Sequence, residues 1–175
     1  MSARITPLAP DEITDEKVKP FLDEAAELGV PDSRFLGVMA QAPGQVLPVM
    51  DALMESLGGS VDPKLKEIIR VRLARQAGDP YFSAMRSKKA AEAGLDEETI
   101  DAGCGDFESD DRFTEAEKWA LRYAALMYTA PTKVNAAFYE EGKKYWSEAE
   151  IMEIGTFIAF HYGFDVWVRT LNLAS

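Results

Sequence analysis

The sequence has only one cysteine, Cys104, and one histidine, His161, among its 175 residues. A single thiol can form no internal disulfide, and no second thiol is available to resolve a sulfenic acid, so two-cysteine redox chemistry is excluded. Cysteine zinc clusters and histidine-rich metal sites are excluded for the same reason. We therefore expect neither a metal nor a cofactor.

Long apolar runs and an excess of positive charge are missing as well. No stretch approaches the roughly 18 apolar residues of a membrane-spanning helix, and the start of the chain lacks the apolar core of a secretory signal. The 30 acidic residues outnumber the 19 lysines and arginines, which gives a formal net charge of −11 and a surface that repels phosphate backbones. We expect a cytoplasmic protein with neither membrane nor nucleic acid as a partner.

What the sequence does contain is helical periodicity. Glycine and proline divide the chain into segments of helical length, and no alternating strand pattern with a hairpin turn lies between them. A chain of this size, 47% hydrophobic, can bury the core of one domain. We predict a single all-α domain over residues 1–175, a compact bundle of seven to eight helices in which residues 1–30 form an extension and the first helix.

Local signals give the boundaries of these helices. The Asp62-Pro63 pair predicts a helix start, and Thr114 with Glu117 and Ser147 with Glu150 predict two capping boxes. The main helices are expected at residues 14–28, 44–57, 64–77, 80–93, 114–128, 133–145 and 147–173. Short helical turns are expected at 33–40 and after 96, and residues 103–111 are expected to form an acidic loop.

The helix after Pro63 is apolar around most of its circumference, which indicates that it is buried. Arg72 and Gln76 project into the middle of its apolar stripe, and a guanidinium there needs an acid or several carbonyls to offset its desolvation. Glu67 on the same helix, or an acid from another chain, would serve as that partner. Arg72 is then either a structural ion pair, an oligomer contact or a functional residue.

Three motifs resemble the core of a known superfamily. They are LKEIIRVRLA at residues 65–74, GDPYF at 78–82 and AAEAGL at 90–95. In this order they resemble the alkylhydroperoxidase D (AhpD) and carboxymuconolactone decarboxylase superfamily, and the likeness extends over most of the chain from about residue 31. The resemblance implies an AhpD-like helical fold and, with the very apolar terminal helix, a homo-oligomer: a dimer, trimer or hexamer.

The chain departs from the peroxidase branch of that superfamily. That branch carries a CxxC pair followed by a histidine, with a glutamate one helix earlier. Here the cysteine positions hold Asp79 and Phe82, the histidine position holds Arg86, and only the glutamate, Glu67, is kept. Thiol peroxidase activity is therefore not expected. The branch that lacks the thiol pair acts on small carboxylated lactones, which implies decarboxylation or isomerisation of a small organic acid.

Acid/base chemistry would use the ionisable residues that these motifs keep in the absence of the thiols. Glu67 could move a proton, and Tyr81 could donate a hydrogen bond to a developing oxyanion. Arg72 or Arg86 could hold the carboxylate of the substrate, with Asp79 as a further substrate contact.

His161 and Cys104 each allow two interpretations. Asp165 lies one helical turn after His161 and could orient its imidazole for proton transfer, although a hydrogen-bonded core histidine is the simpler alternative. Cys104 lies among acids that would raise the pKa of its thiol, so we expect it to be incidental. Three functions stay open: an acid/base enzyme, a binding protein without catalysis, and a structural oligomer.

Overall fold

A computed structural model describes residues 2–174, without the side chains of residues 45 and 46. No strand occurs in this part of the chain. The helices are α1 (Lys19–Leu28), α2 (Ser33–Met39), α3 (Pro43–Ser56), α4 (Pro63–Ala77), α5 (Pro80–Ala84), α6 (Lys88–Glu92), α7 (Glu97–Cys104), α8 (Glu115–Thr129), α9 (Ala136–Gly142) and α10 (Glu148–Leu171), with 3-10 turns at Pro10–Glu12 and Pro131–Lys133. The all-α prediction is confirmed, with a few more helices than the seven to eight expected.

Helix α4 lies at the centre of the fold. It packs along α10 and against α5, α7 and α8. The side chain of Asp62 accepts a hydrogen bond at its start, Pro63 occupies its first turn, and Gly78 ends it with a φ of 66°, as the sequence predicts. Because α4 is covered on several sides, those of its charged side chains that are buried must find partners inside the protein.

Two apolar clusters form the core, and each of them includes residues of α4 and α10. The larger one surrounds Trp119, which is fully buried and stacks on Phe138 with ring centroids 4.8 Å apart. The second one surrounds Phe35, which contacts Phe82 edge to face at 5.3 Å. Residues of α4 and α10 belong to both clusters, so these two helices join the N-terminal helices to the C-terminal ones.

The prediction of one continuous helix over residues 80–93 is wrong, because this segment forms two short helices, α5 and α6. Met85 adopts an extended conformation (φ −75°, ψ 151°), and the Ser87 side chain then caps α6 by accepting from the Ala90 amide. Other boundaries differ as well, and α9 covers only Ala136–Gly142 of the predicted residues 133–145. Helix α1 begins at Lys19, five residues later than expected, and α7 continues through Cys104 into the predicted acidic loop.

Helix α10 carries large apolar side chains on its outer face. Met152, Val166 and Trp167 are exposed on it, and Tyr128 is exposed nearby on α8. A surface of this kind favours contact with another chain, and the homo-oligomer stays a prediction. No helix in the described residues has both the length and the apolar character needed to cross a membrane.

Two glycines form a matched pair for testing the packing around Trp119. A Cβ on Gly142 would lie 2.3 Å from the buried indole, whereas a Cβ on Gly163, which is exposed in α10, would meet nothing within 4 Å. We expect Gly142→Ala to lower the free energy of unfolding by about 1–3 kcal/mol. Gly163→Ala should raise it by about 0.5–1 kcal/mol. Urea unfolding measures both, and equal effects would contradict this packing.

Candidate active site

An ion pair between two side chains of α4 lies in the interior of the protein. Glu67 and Arg70 have side chains only 3% and 2% exposed. The guanidinium holds both carboxylate oxygens, with Nε 2.8 Å from Oε2 and one Nη 2.8 Å from Oε1. The two residues are three positions apart, which brings them together on one face of the helix.

The same pair holds the segment between α5 and α6. Arg70 donates to the carbonyl oxygens of Phe82 at 2.9 Å and Met85 at 2.7 Å, and Glu67 accepts from the Ser87 amide at 2.8 Å. These bonds satisfy backbone groups that are released where the helix breaks. The division of the predicted helix at residues 85–87 therefore follows from the needs of the buried ion pair.

A second buried cation, Lys66, lies next to Glu67 on α4. Its Nζ is 2.6 Å from Oε1 of Glu153 on α10, and it donates to the carbonyl oxygen of Ser56 at 2.9 Å and to that of Gly58. Burial alone would raise the pKa of Glu153, but hydrogen bonds from Lys66 and from residues 60 and 61 lower it to about 2. Both cations of this region are thus neutralised by carboxylates.

His161 on α10 is 5% exposed, and its Nε2 is 3.2 Å from the hydroxyl oxygen of Ser56. The one hydroxyl hydrogen of Ser56 is donated to the carbonyl of Leu53 at 2.6 Å, so this oxygen can only accept from the imidazole. Nε2 therefore carries the ring proton and Nδ1 is the basic nitrogen. Burial, with the positive charges of Arg70 and Lys66, lowers the pKa of His161 to about 3.

Asp165 lies one turn further along α10 and is 2% exposed. Its Oδ2 has no hydrogen-bond partner among the described residues, so it does not hold His161 as the sequence suggested. Burial raises the pKa of Asp165 to about 8, with Arg70 opposing the shift and Asp79 adding to it. The carboxyl group is consequently mostly protonated at neutral pH, while the nearby imidazole is neutral.

Three neighbouring spaces lie in this region. An open groove of about 420 Å³ runs between α1 and α3 and reaches Lys89. Beneath it, one small cavity adjoins Glu67 and another adjoins His161 and Asp165, each with room for about one water molecule. The side chain of Leu57 lines all three spaces, so it separates the groove from the two inner cavities.

Comparison with known proteins gives the family. The sequence profile of the carboxymuconolactone decarboxylase family matches residues 41–126, from the start of α3 into α8. An alkylhydroperoxidase AhpD core, an uncharacterized peroxidase-related protein from Ralstonia eutropha JMP134, shares the fold with a TM-score of 0.73 and 15% identity, over 98% of this chain and 93% of that chain. Residues 41–126 therefore match the carboxymuconolactone decarboxylase family, and the chain as a whole has the AhpD-like fold.

Two structures of the debrominase Bmp8 have the same superfamily fold. The apo form gives a TM-score of 0.79, and a cysteine-to-alanine variant in complex with 2,3,4-tribromopyrrole gives 0.77. Both are 22% identical to this chain, and the matches cover 98% of this chain and 91% of the debrominase. No curated protein matches the sequence.

Two of the predicted site residues lie at the inner cavities, namely Glu67 and His161. Tyr81 and Asp79 lie elsewhere. The Tyr81 hydroxyl donates to Asp32 at the start of α2, and burial raises its pKa. Asp79 caps α5 by accepting from the amides of Tyr81 at 3.0 Å and Phe82 at 3.2 Å.

The two arginines expected to hold a substrate are engaged away from the cavities. Arg86 forms a two-point ion pair with Glu97 at 2.6 and 2.8 Å. Arg72 donates to the carbonyl of Gly103 at 2.7 Å and lies over the ring of Phe107, 4.7 Å from its centre. Of the partners considered for Arg72, Glu67 is wrong, because five residues along a helix turn Arg72 away from it, and backbone carbonyls take that role.

Sequence reasoning missed Arg70, Lys66 and Ser56. Arg70 stands three residues after Glu67, and this spacing was the available signal for their pairing.

Cys104 ends α7, and burial raises the pKa of its thiol, with Arg75 and Arg72 opposing the shift. No group of three or more His, Cys, Asp or Glu side chains in the described residues is arranged to hold a metal ion.

Removing one member of the buried pair should be costly. Arg70→Met leaves Glu67 buried without its partner, and we expect the free energy of unfolding to fall by about 3–5 kcal/mol. The double variant Glu67→Gln/Arg70→Met should recover part of this loss in urea unfolding. As a control, Arg75→Met breaks an exposed pair with Asp101 and should cost less than about 1 kcal/mol. Equal losses for the two arginine variants would contradict the central role of Arg70.

The pKa values of Asp165 and His161 predict how stability depends on pH. Between about pH 4 and 6.5, Asp165 is protonated only in the native state and His161 only in the unfolded state. Their effects on the pH dependence of the free energy of unfolding are opposite and cancel. Above pH 6.5 only the raised pKa of Asp165 matters, so stability falls by about 2 kcal/mol up to pH 8.

Asp165→Asn should remove this fall, because an amide does not titrate. Urea unfolding at pH 6.5 and pH 8 measures the change for the wild type, for Asp165→Asn and for the exposed control Asp111→Asn. The control should keep the wild-type profile. An unaltered fall in Asp165→Asn would show that this carboxyl group is ionised throughout the range.

Proposed function

We propose that the protein is a cofactor-independent acid/base enzyme that decarboxylates or isomerises a small organic acid without thiol chemistry. The main support is the arrangement of Asp165 and His161, which face one closed cavity with a protonated carboxyl group beside a neutral imidazole. A carboxyl group whose pKa is close to the working pH is suited to proton transfer. Retaining such a group in the interior without a hydrogen-bond partner is costly for a purely structural role.

Asp165 is the proton donor in this proposal. When the substrate carboxylate leaves as carbon dioxide, its bonding electron pair remains on the adjacent carbon. The carboxyl group of Asp165 delivers its proton to that carbon, becomes a carboxylate, and is reprotonated from solvent. Nδ1 of His161, which stays unprotonated, accepts a hydrogen bond from a substrate hydroxyl and orients it.

Lys89 is the group that would hold the carboxylate of the substrate. It lines both the open groove and the cavity beside Glu67, and it has no ion-pair partner among the described residues. Glu24, Asp51 and Glu55 line the same groove, so a second negative charge on the ligand would be repelled. The favoured substrate is therefore a small monocarboxylate.

The apolar part of that substrate would pass Leu57 to approach Asp165. The inner cavities admit about one water each, so the Leu57 side chain has to change rotamer when the substrate enters. The debrominase Bmp8, whose variant is in complex with 2,3,4-tribromopyrrole, offers a precedent for a small ring as a ligand of this fold. A ring or short branched chain carrying one carboxylate fits these constraints.

A binding protein without catalysis is the alternative, and one observation favours it. Glu67, the residue kept from the peroxidase branch, has both oxygens held by Arg70 and one also by Ser87. A glutamate held in this way supports the structure around a ligand and takes no direct part in proton transfer.

Binding and turnover should be measured separately. A panel of small monocarboxylates, dicarboxylates and lactones is screened by thermal shift, and each binding compound is followed by NMR for loss of carbon dioxide or isomerisation. We expect monocarboxylates to raise the melting temperature, and Lys89→Gln to abolish this shift. The exposed control Lys133→Gln should leave the shift unchanged.

Asp165→Asn distinguishes the two functions. For an enzyme, this variant should still bind the acid while its turnover falls by about 10²–10⁴-fold. Binding without turnover in the wild type would establish the binding protein. No thermal shift with any compound would refute both functions for this groove.

A further inference from the structure

A second groove lies along the last turns of α10, on the exposed side of the helix, whereas His161 and Asp165 lie on the buried side of the same turns. It encloses about 570 Å³ between the last turns of α4 and α10 and the N-terminal segment. It shares no lining residue with the first groove or with the two inner cavities. Its walls include Arg4, Gln76, Ala77, Tyr162, Val166 and Arg169.

Two guanidinium groups of this groove have spare donors. Arg4 donates one Nη bond to the carbonyl of Thr170 at 2.6 Å, and Arg169 donates one to the carbonyl of Ala77 at 3.0 Å. Neither forms an ion pair with a carboxylate of the described residues, although acids outnumber bases in the chain by 30 to 19. Each guanidinium offers five N–H groups, so most of their donors are available to a ligand.

A third donor in the groove is unsatisfied. Nε2 of Gln76 is buried and has no hydrogen-bond partner among the described residues. A buried amide without a partner is unfavourable, and because Gln76 lines the groove, a small rotation of its side chain would let Nε2 reach an acceptor bound there. Its presence next to two unpaired cations points to an oxyanion as the missing acceptor.

The remaining walls of the groove are apolar. Tyr162 stacks on Tyr128 with ring centroids 3.9 Å apart, which fixes one flat face, and Val166 and Ala77 add aliphatic surface. An inorganic ion would leave these surfaces uncovered, whereas a ligand with a small ring or short chain would contact them.

We propose that this groove is a second ligand site, which binds an organic oxyanion, a carboxylate or a phosphate monoester with a small apolar body. Arg4 and Arg169 hold the charged end, Gln76 donates to it, and Tyr162 with Val166 contacts the body. Capping of the last turns of α4 and α10 is the simpler role for the arginines, but it uses one donor of each. It also gives no reason for the buried amide of Gln76.

Isothermal titration with benzoate, phenyl phosphate and inorganic phosphate tests the site on the full-length protein. We expect one of the two organic anions to bind more tightly than inorganic phosphate, and the tighter one identifies the head group. Arg169→Gln and Arg4→Gln should each weaken binding by about tenfold or more, because each removes a charge-assisted contact. Arg112→Gln is the matched control: this exposed arginine is paired with Asp110 and Glu98, and its loss should leave binding unchanged.

Several results would overturn the site. They are no binding of any anion, binding that survives both arginine variants, and equal binding of inorganic phosphate and phenyl phosphate. Binding lost in Lys89→Gln would instead assign the anion to the first groove. A wild type that self-associates through this groove, with Arg169→Gln or Arg4→Gln monomeric and neither form binding an anion, would make it a contact between copies. Arg4 and Arg169 lie on separate segments of the chain, so if one variant does not fold, the other still tests whether the groove binds the anion.

Discussion

The buried ion pair between Glu67 and Arg70 is the interaction on which the rest of the structure depends. Isolated charges in an apolar interior are strongly disfavoured, so each member requires the other and also requires further polar groups for its remaining oxygens and N–H groups. Those groups come from the backbone between α5 and α6. One pair on α4 therefore decides where the following helix breaks and how α5 and α6 lie against α4.

The buried polar groups around this pair have hydrogen-bond or ion-pair partners, with one exception. Lys66 has Glu153 and two carbonyls, and His161 has Ser56, whereas Oδ2 of Asp165 has no partner. Burial then leaves a proton on the carboxyl group and removes it from the imidazole. A carboxyl group without a hydrogen-bond partner, next to a neutral imidazole, defines the candidate active site within a network whose other members are paired.

Much of the fold was accessible from the sequence, because caps and glycine stops act within a few residues. Asp62-Pro63 and the Thr114 and Ser147 capping boxes occur as expected. The break after α5 was not accessible, because it depends on carbonyls required by Arg70, twelve and fifteen residues away. Arg72 was predicted as the buried arginine of α4, whereas Arg70 is the one that pairs with Glu67. A helix covered on several sides has no single apolar face, so its sequence does not indicate which arginine points inward.

The anchoring of α4 determines which wall of the site can move. Lys66, Glu67 and Arg70 tie α4 to α10, to the end of α3 and to the segment before α6, so a sliding or rotation of α4 would break several buried bonds at once. The opposite wall, formed by α1, is held mainly by apolar contacts, which permit small displacements at low energy. Breathing motions that admit a ligand should therefore be confined to the N-terminal helices, while the side that carries the ionisable groups stays rigid.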